Sequence, residues 1–85
     1  MSLLINKKIK QKQLLKLLNL AGYQNVRVSG SHLIYKHDNS KSVIALRNAR
    51  NNEIVPIFIV SAVYRNIVDN GVLSTEQLIE LLETL

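Results

Sequence analysis

The period of the apolar residues changes twice along these 85 residues, and that change limits the fold more than any single motif does. Between Ile9 and Ala21, the residues Ile9, Leu14, Leu15, Leu17, Leu18 and Ala21 form a broad stripe at helical spacing, with Lys8, Lys12 and Lys16 every fourth position on another face. Gly22 then ends the helix, because glycine accepts the left-handed backbone that commonly follows a last turn. From Val26 the pattern becomes that of strands: Val26-Arg27-Val28-Ser29 alternates, Ser31 to Lys36 follows Gly30, and Ser42 to Leu46 follows the polar turn Asp38-Asn39-Ser40-Lys41. Three short strands are predicted, the last two joined as a hairpin.

The helical period returns at the end. Ser74 with Gln77 three residues later is a capping box, Leu73 and Leu78 fit a hydrophobic staple, and Leu78, Leu81, Leu82 and Leu85 supply the apolar side. Between strands and last helix, Arg47 to Glu53 reads as a polar loop and Asn70-Gly71 as a stop. The intervening segment has two readings. Pro56 suits the first turn of a helix that places Val60, Val63, Tyr64 and Ile67 on one face, while Ile54 to Val60 is rich enough in β-branched residues for a fourth strand. The expected class is α+β: a helix, a three-stranded antiparallel sheet, then one or two helices. Length allows one domain over residues 1–85 with one small core.

Composition then removes chemistries. With no cysteine there is no disulfide framework, thiolate metal site or thiol nucleophile. His32 and His37 lie five positions apart on one predicted strand, about 16 Å from each other and on opposite faces, so they do not share a metal. Asp38 is the sole acid before Glu53, which disfavours a two-metal nuclease or a paired-carboxylate hydrolase. No glycine-rich phosphate loop is present; no cofactor and no metal is expected. Met1 to Ile5, followed by Lys7 and Lys8, is too short for a secretory leader, and Ile54 to Val60 is too short to cross a bilayer. A cytoplasmic protein without membrane attachment is the expectation.

Charge is divided unevenly. Through Arg50 ten bases face one acid, giving +9; from Asn51 onward Arg65 faces five acids, giving −4, which together make the net +5. A polyanion is a natural partner for the first part. RNA suits a chain so short of catalytic groups because it carries its own nucleophile. A positioned imidazole can take the proton of a 2′-hydroxyl, and lysine or arginine can stabilise charge developing on the phosphate.

Gly30-Ser31-His32-Leu33-Ile34-Tyr35 resembles the G-S-H-h-h-Y/F strand of HicA-type mRNA interferase toxins, small ribonucleases of bacterial toxin–antitoxin pairs. The surroundings agree: a leucine-rich helix running into Ala21-Gly22-Tyr23, Arg27 before the motif, a polar hairpin after it, a proline-opened segment with Val63 and Ile67, and Leu73-Ser74 with Glu76 and Leu78. The resemblance covers about residues 9–82. It implies a fold like that of double-stranded-RNA-binding domains, His32 as catalytic residue, metal-independent cleavage of mRNA, and a HicB-type antitoxin as partner. Many members end the third strand with a V-P-x-H-like sequence; Ile44-Ala45-Leu46-Arg47 stands there instead.

With that resemblance, His32 is the expected general acid/base, supported by Gly30 and Ser31, and Lys8, Lys12, Lys16, Arg27, Lys36 and Arg47 are the candidate RNA contacts. Tyr35, on the other face of the strand from His32, is expected in the core with Tyr23 and Tyr64, and His37 in an exposed loop. Two other classes stay open: a non-catalytic RNA binder of the same fold, and a module whose basic face docks an acidic protein.

Overall fold

The structure, a computed structural model, describes residues 8–85. The apolar stretch Met1 to Ile5, read as too short for a leader, lies outside the described residues. The chain runs α1 (Gln11–Leu20), β1 (Tyr23–Ser29), β2 (His32–His37), β3 (Val43–Arg47), α2 (Ile57–Asp69) and α3 (Thr75–Glu83). The strands form an antiparallel sheet in the order β1-β2-β3, so the α+β order holds.

Alternation sorts the sheet into two faces. Leu33, Tyr35, Ile44 and Leu46 turn one way and join Leu14, Leu17, Leu18, Val60, Val63, Tyr64, Ile67, Leu78 and Leu82 in a single core. Ile34, Lys36, Val43, Ala45, Arg47 and His32 turn the other way, away from the helices. Tyr35, Tyr23 and Tyr64 are buried as expected. β1 begins at Tyr23, three residues before the alternating run, and a bulge between Asn25 and Arg27 shifts its register. Val26 and Val28 accordingly stay more than half exposed on an edge that the bulge twists away from further pairing.

The open alternative at Ile54 to Val60 resolves as a division. Ile54 makes one antiparallel bridge with Lys10, and the helix starts three residues later. Pro56 is its N-cap rather than a residue of the first turn, which still avoids the interior, where a missing N–H and the ring would break the ladder. At α3 both capping-box bonds form: Gln77 N donates to Ser74 Oγ at 3.1 Å and Ser74 N to Gln77 Oε1 at 2.9 Å. Gly22 carries φ +97°.

The polar loop after β3 has a structural duty that its composition does not reveal. Gln11 N donates to Glu53 O at 2.8 Å and Lys12 N to Asn51 O at 3.0 Å, satisfying first-turn donors of α1 that have no partner inside the helix. The buried Gln11 side chain donates in turn to Arg47 O at 3.1 Å, and Asn66 Nδ2 to Val43 O at 3.3 Å. Two outward carbonyls of edge strand β3 are thereby covered by side chains from α1 and α2.

Candidate functional site

His32 owes its position to the turn before it. Ser29 and His32 pair across a two-residue connection, Gly30-Ser31, in which Gly30 has φ +60° and Ser31 stays negative. A positive angle at the first central residue alone is the type II′ pattern, whose twist matches that of the flanking strands. Gly30 thus allows β1 to fold back at once and places His32 at the first position of β2.

On its other side His32 is in register with Arg47 of β3. Asn48 N donates to Ser31 O at 2.7 Å, just outside that pair, and further along His37 N donates to Ser42 O at 3.1 Å. In an antiparallel ladder these bonds make His32–Arg47 a pair that exchanges no backbone hydrogen bonds, the kind whose Cα atoms approach to about 4.5 Å rather than about 5.5 Å. The imidazole and the guanidinium stem are therefore close neighbours on one exposed face. Arg27, in register with Ile34, is diagonal to His32 on β1, within reach for a side chain of its length. Lys36 shares the face four residues along β2, about 13 Å away.

Arg47 is held by Glu53: the guanidinium donates to Glu53 Oε2 at 3.1 Å, with the side chains 73% and 41% exposed. So open an ion pair adds little stability. Its effect is orientation, and it leaves most guanidinium donors facing solvent. His32, Ala45, Arg47, Glu53, Ile54 and Phe58 are among the residues lining one cavity of about 240 Å³.

The six candidate cations are not gathered together. Arg27, Lys36 and Arg47 share the outer sheet face with His32, whereas Lys8, Lys12 and Lys16 are exposed residues before and along α1, whose leucines face the core. Lys12 and Lys16 flank Leu85 in a second depression and do not line the His32 cavity. The Ser31 backbone carbonyl accepts the hydrogen bond from Asn48 N.

His37 corrects an expectation. It is not an exposed loop residue but the last residue of β2, half buried, with its ring edge-on to Tyr23 at 5.2 Å and 61°. Its Nδ1 accepts from Asn39 N at 3.3 Å. Behind this ring Tyr23 Oη bonds to Ser42 Oγ at 2.6 Å, and Ser42 donates to Asn66 Oδ1, a polar relay joining β1, the β2–β3 turn and α2. Burial pushes the Tyr23 and Tyr35 phenols up, the bond to Ser42 partly offsetting the rise at Tyr23. It takes Tyr64 to about 12.

Sequence reasoning missed Glu53, Gln11 and Phe58. Nothing in the order of residues announces that Glu53, six positions after Arg47, returns to meet it. Phe58 did carry a signal: two residues before Val60, it lies about half a turn from the buried face of α2.

Among the described residues no group of three or more histidines, cysteines or carboxylates comes together, and no helix is long and apolar enough to cross a membrane. Neither a curated protein nor a solved structure gives a match. One family does, the HicA toxin of bacterial toxin–antitoxin, over residues 12–65. That span holds α1 except Gln11, the whole sheet and most of α2, with Gly30, Ser31, His32 and Arg47 inside it. The chain belongs to the HicA toxin family of bacterial toxin–antitoxin systems.

Proposed function

We propose that this chain is the toxin of its pair and acts as an endoribonuclease on mRNA in the cytoplasm, with His32 as general base. The observation that carries the reading is the exposed His32–Arg47 cross-strand pair with Arg27 diagonal to it, in a chain of a toxin family. An imidazole beside two guanidinium groups on an open face matches a phosphodiester with a hydroxyl next to it.

In this reading the sugar–phosphate backbone lies across the outer sheet face. Arg47 and Arg27 donate to the non-bridging phosphate oxygens, where Arg is suited to two-point contact. His32 removes the 2′-hydroxyl proton, the 2′-oxygen forms a bond to phosphorus, and the bond from phosphorus to the 5′-oxygen breaks. The products are a 2′,3′-cyclic phosphate and a 5′-hydroxyl, the departing oxygen taking its proton from solvent. The imidazole contributes a factor of about 10² to 10⁴, and the guanidinium groups stabilise charge that grows in the transition state. Arg47, standing where many relatives have the V-P-x-H-like element, supplies charge at that end of β3. Lys36 extends the phosphate track, and the α1 lysines act at longer range. A HicB-like antitoxin is the proposed partner and would silence the toxin by covering the His32 face.

The test uses purified full-length protein and a single-stranded RNA in the presence of a chelator. Wild type is expected to cut and to leave cyclic phosphate ends, while His32→Ala binds RNA, keeps its melting temperature and does not cut. Cleavage of RNA carrying 2′-deoxyribose at the cut site, or undiminished cleavage by His32→Ala, would overturn the mechanism. Salt-sensitive RNA binding with no cleavage by wild type would favour the non-catalytic binder, and binding of an acidic protein with none of RNA at low salt would favour the docking module.

A further inference from the structure

Phe58 is the sole phenylalanine of the chain, and it is 72% exposed in the first turn of α2. It does nothing for the core, since the buried face of that helix is Val60, Val63, Tyr64 and Ile67. Its ring nonetheless lines the same cavity as His32 and Arg47, together with Ile54, itself 47% exposed, and Ala45. Single exposed apolar residues need no explanation; an open aromatic ring and an open aliphatic side chain meeting at an imidazole and a guanidinium do.

We infer that Phe58, backed by Ile54, is a base-stacking subsite that holds one nucleobase of a single-stranded RNA beside the phosphate engaged by Arg47 and His32. The inference rests on the ribonuclease reading above and adds to it the residue that fixes the nucleotide in register. Charge and shape choose the occupant. The outer sheet face presents Arg27, Lys36 and Arg47, which suits a polyanion. Each phosphate of RNA brings a flat heterocycle with it, and any base offers a π-face to an aromatic ring. A cavity of about 240 Å³ lies below the roughly 300–1,000 Å³ of pockets that enclose a drug-sized ligand, which fits one ring system rather than a helix of a partner protein. A base already paired in a duplex cannot enter it, so the subsite selects unpaired RNA despite the likeness of the fold to duplex-binding domains.

The experiment uses an oligoribonucleotide with 2-aminopurine beside the cut site and 2′-deoxyribose at it, so that it binds without being cut. The chain has no tryptophan, which leaves the probe's fluorescence clean. Wild type is expected to quench the probe on binding. Phe58→Ala should lose the quenching and bind about tenfold more weakly, within the range given by removing an aromatic platform. Phe58→Trp should restore both, while Phe58→Leu, which keeps apolar area without a π-face, should restore neither. On cleavable RNA, Phe58→Ala should raise KM with kcat little changed. Quenching and affinity unchanged in Phe58→Ala, or equal in Phe58→Leu and wild type, would overturn the subsite while leaving the His32 reading intact. Loss of a partner protein's binding in Phe58→Ala with RNA binding unaltered would assign the ring to that protein and overturn it too. If wild type binds no RNA, the ribonuclease reading fails and the subsite fails with it.

Discussion

The two ends of β2 each carry a histidine, and they sit in opposite surroundings. At the first end His32 follows a glycine turn, faces solvent, and stands beside Arg47 on an open sheet face. At the other end His37 turns toward the helices, packs edge-on against Tyr23, and lies against the relay from Tyr23 through Ser42 to Asn66. Five residues on one strand are enough to reverse the face. The first imidazole is open to an anionic ligand beside Arg47; the second spends its ring on the contact with the Tyr23 phenol. Residue type alone did not separate them, and strand register did.

The largest effect that would test this contrast is on catalysis. His32→Ala should lower RNA cleavage by about 10² to 10⁴-fold with an unchanged unfolding midpoint, while His37→Ala should cut RNA within about twofold of wild type yet lose about 1 kcal/mol of stability, the worth of an aromatic edge contact. Single-turnover cleavage and urea unfolding of both variants give the four numbers. A loss of cleavage in folded His37→Ala would break the comparison.

Next in size is Ser42→Ala. It strips Tyr23 and Asn66 of their shared partner and should cost about 1–3 kcal/mol, because a buried polar group left unpaired keeps its desolvation penalty. Urea unfolding measures it, and cleavage per folded molecule should hold.

Gly22→Ala should cost about 1–2 kcal/mol for a side chain at a positive φ. The added Cβ would also lie 3.0 Å from the His37 ring, so the variant disturbs the closed end of β2 alone. The same change at Gly30, where nothing lies within 4 Å, should act through backbone conformation without crowding, and its damage should show in cleavage, since it shifts His32.

The remaining effect is alkaline and reaches the core rather than either end of β2. The folded pKa of Tyr64 is about 12 against 10.0 for a free phenol, so between these values the native state holds a proton that the unfolded chain releases. The contribution of Tyr64 is full below pH 10 and is lost as pH rises toward 12, with a slope of at most about 1.4 kcal/mol per pH unit. Urea midpoints at pH 9 and 11 should differ less in Tyr64→Phe than in wild type.

Much of the fold was legible because its signals are local. The leucine stripe ending at Gly22, the glycine turn before His32, the polar turn at Asp38 to Lys41 and the Ser74–Gln77 box each act within a few residues and are present in the structure. The start of β1 at Tyr23 was not legible, since Tyr23-Gln24-Asn25 does not alternate and is drawn into the sheet by pairing with Tyr35, Lys36 and His37. Ile54 to Val60 stayed ambiguous because β-branched residues serve either structure, and the choice was made by packing Val60, Val63, Tyr64 and Ile67 into the core. Of the candidate cations, the α1 lysines could not be separated from the sheet arginines by charge alone, because charge along a chain does not say which layer a residue joins.

The sequence by itself determined the α+β order and the family, and marked one histidine by its motif, because periodicity, turns and motifs are written in neighbours. The tertiary structure alone decided that Arg47 stands beside His32 in a close cross-strand pair, that Glu53 returns to orient it, that the polar loop caps α1, and that Phe58 opens onto the same cavity. Those relations join residues 6 to 42 positions apart, and only the closing of the sheet and the docking of α1 and α2 bring such partners together.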